Sequence, residues 1–92
     1  MQLTATISIM GIIYVVIENG DPYPVAYNTY GAALAAVKLK HTEEIEEELK
    51  WLEENPGQHG CNDVDVPEAA SGISHLYIEK GIHIEIHRLQ VV

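Results

Sequence analysis

The feature that most constrains the fold of this chain is an alternation of apolar and polar residues on both sides of the tripeptide Glu79-Lys80-Gly81. If that tripeptide forms a turn with its glycine in the left-handed conformation, Ile78 lies opposite Ile82 and the apolar side chains share one face. A two-residue turn would instead mix apolar and polar side chains on both faces. The sequence therefore predicts an antiparallel hairpin with strands at about 73–78 and 82–88.

A second hairpin is predicted near the start of the chain. Alternating and then continuous apolar residues, many of them β-branched, indicate a strand at about 3–17, either unbroken or interrupted at Gly11. Asn19-Gly20 is a strong turn signal because both residue types tolerate positive φ. The return strand is expected at about 23–27, and Pro24 makes it an edge strand.

Between the two hairpins the sequence predicts one long helix at about 30–54. Thr29 is a suitable N-cap, and Asn55-Pro56-Gly57 ends the helical pattern. Thr42, which acids follow, could cap a second helix and give a kinked or broken pair, although a single helix is the preferred interpretation. Residues 55–72 are predicted to form a long loop. Apolar or weakly polar residues recur at helical spacing at Leu34, Val37, His41, Ile45, Leu49 and Leu52.

These elements predict one α+β domain, at 1–92, with an antiparallel four- to five-stranded sheet in ββαββ order, packed against one long, possibly kinked helix. The composition agrees with a packed core, because 47% of the residues are hydrophobic and 21% are charged. After His87 the alternation changes phase, so that Arg88 falls where apolar residues stood before. A bulge, or a dimer contact at the terminus, would explain the change.

The charge of the chain restricts its partners. Fourteen Asp and Glu against five Lys and Arg give a formal net charge of -9, which disfavours direct binding to nucleic acid or to an anionic membrane. The same field attracts basic protein surfaces, although it could also serve solubility alone. Cys61 is the only cysteine, which favours a reducing, cytoplasmic location. The apolar stretch near the start of the chain is too short and too interrupted to span a bilayer.

An acidic run in the second half of the predicted helix is the candidate partner-binding site. With Ile45, Leu49 and Leu52 expected to face the core, the acids would spread over the solvent side, where they could dock into a basic groove or form an ordinary solvated face. The run comprises Glu43, Glu44, Glu46, Glu47, Glu48, Glu53 and Glu54.

Three further groups of residues have side chains of the types used in catalysis or binding. The polar face of the C-terminal hairpin carries His75, His83, Glu85 and His87, but the spacing matches no zinc motif, so a surface that gains charge below about pH 6.5 is the better reading. His59, Cys61 and Asp63 lie close in sequence without any nucleophile signature, and no enzyme, metal or cofactor is predicted. Four tyrosines near the first hairpin could line the core or an interface: Tyr14, Tyr23, Tyr27 and Tyr30.

Small size, strong acidity, a sheet-plus-helix layout and the lack of catalytic motifs together resemble the phage-encoded inhibitors of bacterial defence, especially the anti-CRISPR proteins. The resemblance is one of class and carries over no individual residue. It implies a stoichiometric inhibitor in the host cytoplasm that occupies a basic, nucleic-acid-binding surface of a Cas effector or other nuclease. The acidic run at 43–54 is then the expected contact.

A second, local resemblance covers about a quarter of the chain. Tyr14-Val15-Val16-Ile17, a turn, a return strand and Asn28-Thr29-Tyr30-Gly31-Ala32-Ala33-Leu34 look like the strand-to-helix passage of HicB-type antitoxins. The acidic helix would suit the masking of a basic toxin, but the chain has no DNA-binding appendage. The alternative function is therefore a structural or antitoxin-like module that self-associates, as a homodimer for example, or masks a basic partner.

Overall fold

The computed structural model describes residues 11–92, in which an antiparallel sheet packs with helices in the order β-β-α-α-β-β. Numbered by position in the chain, the strands lie across the sheet in the order second, first, fourth and third. The α+β class and the antiparallel sheet are confirmed, whereas the ββαββ order is wrong because two helices replace the single one. The part of the predicted first strand that precedes residue 11 lies outside the described residues. The elements are β1 (Ile12–Glu18), β2 (Asp21–Pro22), α1 (Tyr30–Lys40), α2 (Thr42–Glu54), β3 (Ile73–Ile78) and β4 (Ile82–Gln90).

The C-terminal hairpin has the predicted register. Ile78 pairs with Ile82, and the ladder continues without interruption to the pair formed by Ile73 and His87. Gly81 has a φ of +83°, and Lys80 before it is also left-handed, with a φ of +76°. The local turn chemistry and the apolar alternation therefore select the same pairing.

The phase change after His87 comes without a bulge. Strand β4 runs to Gln90, beyond the predicted end at residue 88, and its ladder with β1 is continuous. Arg88 consequently lies on the same face of the sheet as Ile86, where its Nη1 donates to the Glu68 carboxylate at 2.7 Å. The bulge was a wrong prediction: the polar residue has an ion-pair partner on the inner side of the sheet.

The first hairpin turns at Asn19 and Gly20, whose φ values are +49° and +88°. Its return strand was wrongly placed at 23–27, since β2 is only Asp21–Pro22 and the chain touches β1 again at Tyr27. An unbroken ladder would pair Tyr14 with Val25, but Tyr14 pairs with Tyr27, so two extra residues bulge out. Proline in this segment lacks an N–H for the ladder, which favours the interruption.

The core lies between one face of the sheet and α1. Thr29 caps α1 as predicted, its Oγ1 accepting from the Ala32 N–H at 3.0 Å, and Ala33 and Val37 are its buried residues. Val64, from the long loop 55–72, closes the core beside the helix. The main buried side chains of the sheet are Tyr14, Val16, Leu76, Ile78, Ile84 and Ile86.

The single helix predicted at 30–54 is wrong, because the chain leaves helical geometry at His41 (φ -111°, ψ 31°). The Thr42 hydroxyl donates to the carbonyls of Lys38 and Leu39, at 3.0 and 2.9 Å, and so satisfies the end of α1. Lysines occupy the last turn of α1 and glutamates the first turn of α2, which suits the dipoles of two separate helices.

Helix α2 does not pack on the sheet as predicted. None of its residues is buried, and only Ile45 among its apolar side chains packs against the core cluster. Leu49, which was expected to face the core, is 57% exposed. The break at His41 directs α2 away from the sheet face that α1 covers.

Candidate protein-binding surface on the second helix

The elbow between the two helices is fixed by the side chain of His41. The sequence pattern indicates this residue only as one position on the core-facing side of a helix. His41 is 6% exposed, and its Nε2 lies 2.7 Å from Oε1 of Glu18 at the end of β1. Tyr23 donates to the same carboxylate at 2.9 Å, and Lys40 Nζ lies 3.3 Å from its other oxygen. Glu44 Oε1 is 3.7 Å from His41 Nδ1. This cluster ties the start of α2 to the sheet.

The environment of Glu18 changes its acidity. Burial by itself raises the pKa of this carboxyl, but hydrogen bonds from His41, Tyr23 and Lys40 favour the charged form and hold the pKa below its ordinary value. Burial and the bond to Glu18 raise the pKa of the Tyr23 phenol. Glu18 is therefore the anionic centre of the elbow at neutral pH.

A second tether holds the middle of α2 to the long loop. The Glu48 carboxylate accepts from the backbone N–H groups of Cys61 and Asn62, at 2.5 and 2.9 Å. Gly60 is suited to this contact because a Cβ there would lie 2.3 Å from the Glu48 carboxylate. The loop in turn joins the sheet, where Asp63 and Tyr77 exchange two backbone hydrogen bonds of 2.8 and 3.1 Å.

The seven glutamates predicted to bind a partner therefore have different surroundings. Glu48 holds the loop and Glu44 adjoins His41, and both are only partly exposed. At 100° per residue, three of the others lie on the side of α2 away from Leu49 and Leu52. We call this group, Glu43, Glu47 and Glu54, the outer acidic face. Glu46 and Glu53 flank Leu49. The exposed acids of the run are Glu43, Glu46, Glu47, Glu53 and Glu54.

Two cavities flank the Glu48 tether. One, of about 380 Å³, contains Trp51, His59 and Cys61 in its lining. The other, of about 550 Å³, runs between Leu49 of α2 and residues 62–65 of the loop. Sequence reasoning missed the second cavity. The alternation in Asp63-Val64-Asp65-Val66 could have indicated it, since it turns the valines inward and leaves the carboxylates at the surface.

Asn62 lies in the wall of the larger cavity. Its Oδ1 accepts from the Glu79 N–H at 2.8 Å, which fixes the orientation of the amide. Its Nδ2 is buried and has no hydrogen-bond partner among the residues that the structure describes.

The histidine face of the C-terminal hairpin is arranged as the register predicted. His87 Nε2 lies 2.8 Å from Oε1 of Glu85, and His75 Nδ1 lies 3.9 Å from its other oxygen. The bond from His87 lowers the pKa of Glu85. His83 packs edge-on against Tyr77, with ring centroids 5.1 Å apart. Over residues 11–92 no group of three or more His, Cys, Asp or Glu side chains is arranged so that it could hold a metal ion.

The candidate thiol site is not assembled. Cys61 is exposed and lines the smaller cavity with His59, whereas Asp63 lines the larger one on the other side of the tether. The three residues that are close in sequence therefore do not share a site. A nucleophile needs a positioned base within hydrogen-bond reach, and the described hydrogen bonds include none between the Cys61 thiol and His59.

The tyrosines line the core edge, one of the two readings that the sequence allowed. Tyr14 is buried and donates to the Glu68 carboxylate at 3.0 Å. Its ring meets that of Tyr30 edge-on at 6.2 Å, and Tyr30 donates to the Val66 carbonyl at 2.6 Å. The bond from Arg88 is the main cause of a lowered pKa at Glu68. These contacts attach the end of the long loop to the sheet.

Neither helix of the described part of the chain is both long and apolar enough to cross a membrane. Comparisons with known proteins assign no relationship: no family model matches the chain, and no curated protein or solved structure matches it either.

Proposed function

We propose that this chain is a non-catalytic binding protein that acts through the outer acidic face of α2. The observation that carries the proposal is the placement of α2, which has no buried residue and is held to the rest of the chain mainly by the elbow at His41, by Ile45 and by the Glu48 tether. A helix kept in place from one side presents its other side to a partner. That other side is predominantly acidic: Glu43, Glu47 and Glu54 lie on it beside one cationic residue, Lys50.

The partner favoured by this surface is a basic groove that normally holds nucleic acid. Carboxylates on a rigid helix attract such a groove over distances comparable to the Debye length, about 8–10 Å at physiological salt. The net charge of -9 adds to the attraction. We therefore propose a stoichiometric inhibitor of a Cas effector or other nuclease, of the phage anti-CRISPR type, that acts in the host cytoplasm.

The alternative is a self-associating or antitoxin-like module. Exposed strand edges are the usual route to such assembly. Here β2 is two residues long, and the outer edge of β3 is partly covered by the Asp63–Tyr77 bridge. These features favour binding through α2 over pairing through the sheet.

The test is inhibition of target-DNA binding by purified Cas effectors, measured by electrophoretic mobility at low and high salt. A reversed pair on the outer acidic face, Glu43→Lys with Glu54→Lys, is compared with a matched pair off that face, Asp21→Lys with Glu79→Lys. Both pairs change the net charge equally. We expect the α2 pair to weaken inhibition about tenfold or more and the control pair to weaken it about twofold or less.

Equal losses from both pairs would mean that only net charge matters and would remove α2 as the site. Full activity of the α2 pair would contradict the electrostatic mechanism. Absence of inhibition across the effectors, together with concentration-dependent self-association in sedimentation, would favour the structural module.

A further inference from the structure

The cavity between α2 and residues 62–65 of the loop has the chemistry of a peptide-binding groove. Its floor is apolar and consists of Ile45 and Leu49 from α2 and Val64 from the loop. Leu49 is 57% exposed there, so it gives up water-accessible area when an occupant covers it. A volume of about 550 Å³ falls within the usual range of binding sites, about 300–1,000 Å³.

The rim of the groove is acidic on both walls. Glu46 and Glu48 belong to the α2 wall, and Asp63 and Asp65 belong to the loop wall; Lys38 is the one cationic side chain. Glu48 is engaged by the amides of residues 61 and 62, and Asp65 by Lys38. Glu46 and Asp63 are exposed and have no side-chain hydrogen bond or ion pair within residues 11–92. Each wall therefore has one carboxylate, Glu46 on α2 and Asp63 on the loop, that pairs with no other described side chain and lies beside the apolar floor.

We infer that this groove binds a cationic amphipathic peptide segment of the partner, in which Leu- or Ile-type side chains are flanked by Lys or Arg. The apolar anchors cover the exposed Leu49 and contact the groove floor, while the cations on either side meet Glu46 and Asp63. An acidic or purely polar segment is excluded, because it would place carboxylates together or leave the apolar floor in water.

The inference rests on the proposed function and specifies which part of the partner is recognised. The outer acidic face attracts the partner, and the groove supplies the apolar contact that persists at higher salt. The two surfaces lie on different sides of α2, so each can be removed without the other. If the peptide does not bind the groove, the inhibition assay described above still tests the outer acidic face.

The experiment is an NMR titration of the full 15N-labelled chain at 150 mM salt with a synthetic 14-residue peptide. The peptide has Leu on one helical face and Lys on the other; control peptides have the same composition in scrambled order, or Glu in place of Lys. We expect shifts centred on the amides of Leu49 and residues 62–65, with affinity at least about tenfold above that of either control.

Two leucine-to-serine substitutions distinguish peptide binding in the groove from nonspecific binding elsewhere on the surface. Leu49→Ser should weaken peptide binding about tenfold, whereas Leu39→Ser, on α1 and 79% exposed, should change it less than about twofold. Both side chains are accessible, so both variants should fold, which the amide spectrum verifies. Asp63→Asn should weaken binding more than Glu43→Gln does, since only Asp63 lines the groove.

Equal affinity for the amphipathic and scrambled peptides, or equal effects of the two leucine substitutions, would overturn the inference. So would the absence of shifts at residues 62–65 at millimolar peptide.

Discussion

Helices α1 and α2 are consecutive and similar in length, yet only α1 belongs to the core. Helix α1 buries Ala33 and Val37 against the sheet, whereas α2 has no fully buried residue and only Ile45 packs against the core. Helix α1 is apolar around most of its circumference, whereas α2 has the clearer apolar stripe, so the stripe by itself does not identify the helix that covers the sheet. The difference shows that an apolar stripe indicates what a helix could bury, while the area of the sheet face decides which helix does so.

The largest expected effect is the contrast between equivalent truncations in the two helices. Val37→Ala removes methyl groups from a site with 0% exposure and should lower the free energy of unfolding by about 2 kcal/mol. Leu49→Ala removes more carbon from an exposed site and should change it by about 0.5 kcal/mol or less. Urea unfolding followed by circular dichroism checks both variants. Similar losses would mean that α2 is as much a part of the core as α1.

The tether of α2 to the loop should have an intermediate effect. Glu48→Gln weakens two charge-assisted hydrogen bonds to Cys61 and Asn62 and should lower stability by about 1 kcal/mol. Hydrogen exchange should accelerate at those two amides first. Glu54→Gln, on the same helix and exposed, is the control, and exchange at residues 61 and 62 should not change in it. Unchanged exchange in Glu48→Gln would contradict the tether.

The elbow should be sensitive to acid. The pKa of Glu18 is lower in the folded chain than in the unfolded one, so the unfolded state binds the proton more readily. The stabilisation is present above the unfolded value, about pH 4.3, and is lost as pH falls through the folded value. The urea midpoint should therefore fall between pH 6 and pH 3, and it should fall less in Glu18→Gln. An identical pH profile for the two proteins would exclude Glu18 as a source of the acid sensitivity.

The smallest effect is expected on the outer acidic face. Glu47→Lys replaces the like-charge spacings of this residue to Glu43 and Glu44 with favourable ones, which outweighs the like-charge spacing to Lys50 that it creates. Stability should rise by about 0.3–0.5 kcal/mol at low salt and by less at high salt. A loss of stability at both salt concentrations would mean that Glu47 has a structural role, in contrast to the rest of this face.

Part of the fold could be read from the sequence because the relevant forces are local. The register between Ile78 and Ile82 follows from turn residues and alternation within a few positions. The helix break at His41 was indicated only by Thr42 and the acids that follow it, which could cap a second helix. The apolar spacing continues through the break, and the contact of the buried His41 with Glu18 joins residues that are 23 apart in sequence.

The candidate site was predictable in its charge and not in its geometry. The density of glutamates after Thr42 is visible in the sequence, but it does not show that Glu48 serves the loop while Glu47 faces solvent. The groove was missed because its two walls come from α2 and from residues 62–65, which are brought together by hydrogen bonds to Glu48. Carboxylate-to-amide contacts of this kind have no sequence signature.

The sequence by itself determined the turns, the pairing of β3 with β4, the cap of α1 and the acidity of the chain, since each depends on neighbouring residues or on composition. Only the tertiary structure decided that α1 rather than α2 covers the sheet, that Arg88 lies on its inner side, and that α2 and the loop enclose a groove. The physical reason is that the inner face of the sheet has a limited area for apolar contact. Helix α1 and the loop residues Val64 and Val66 occupy that area.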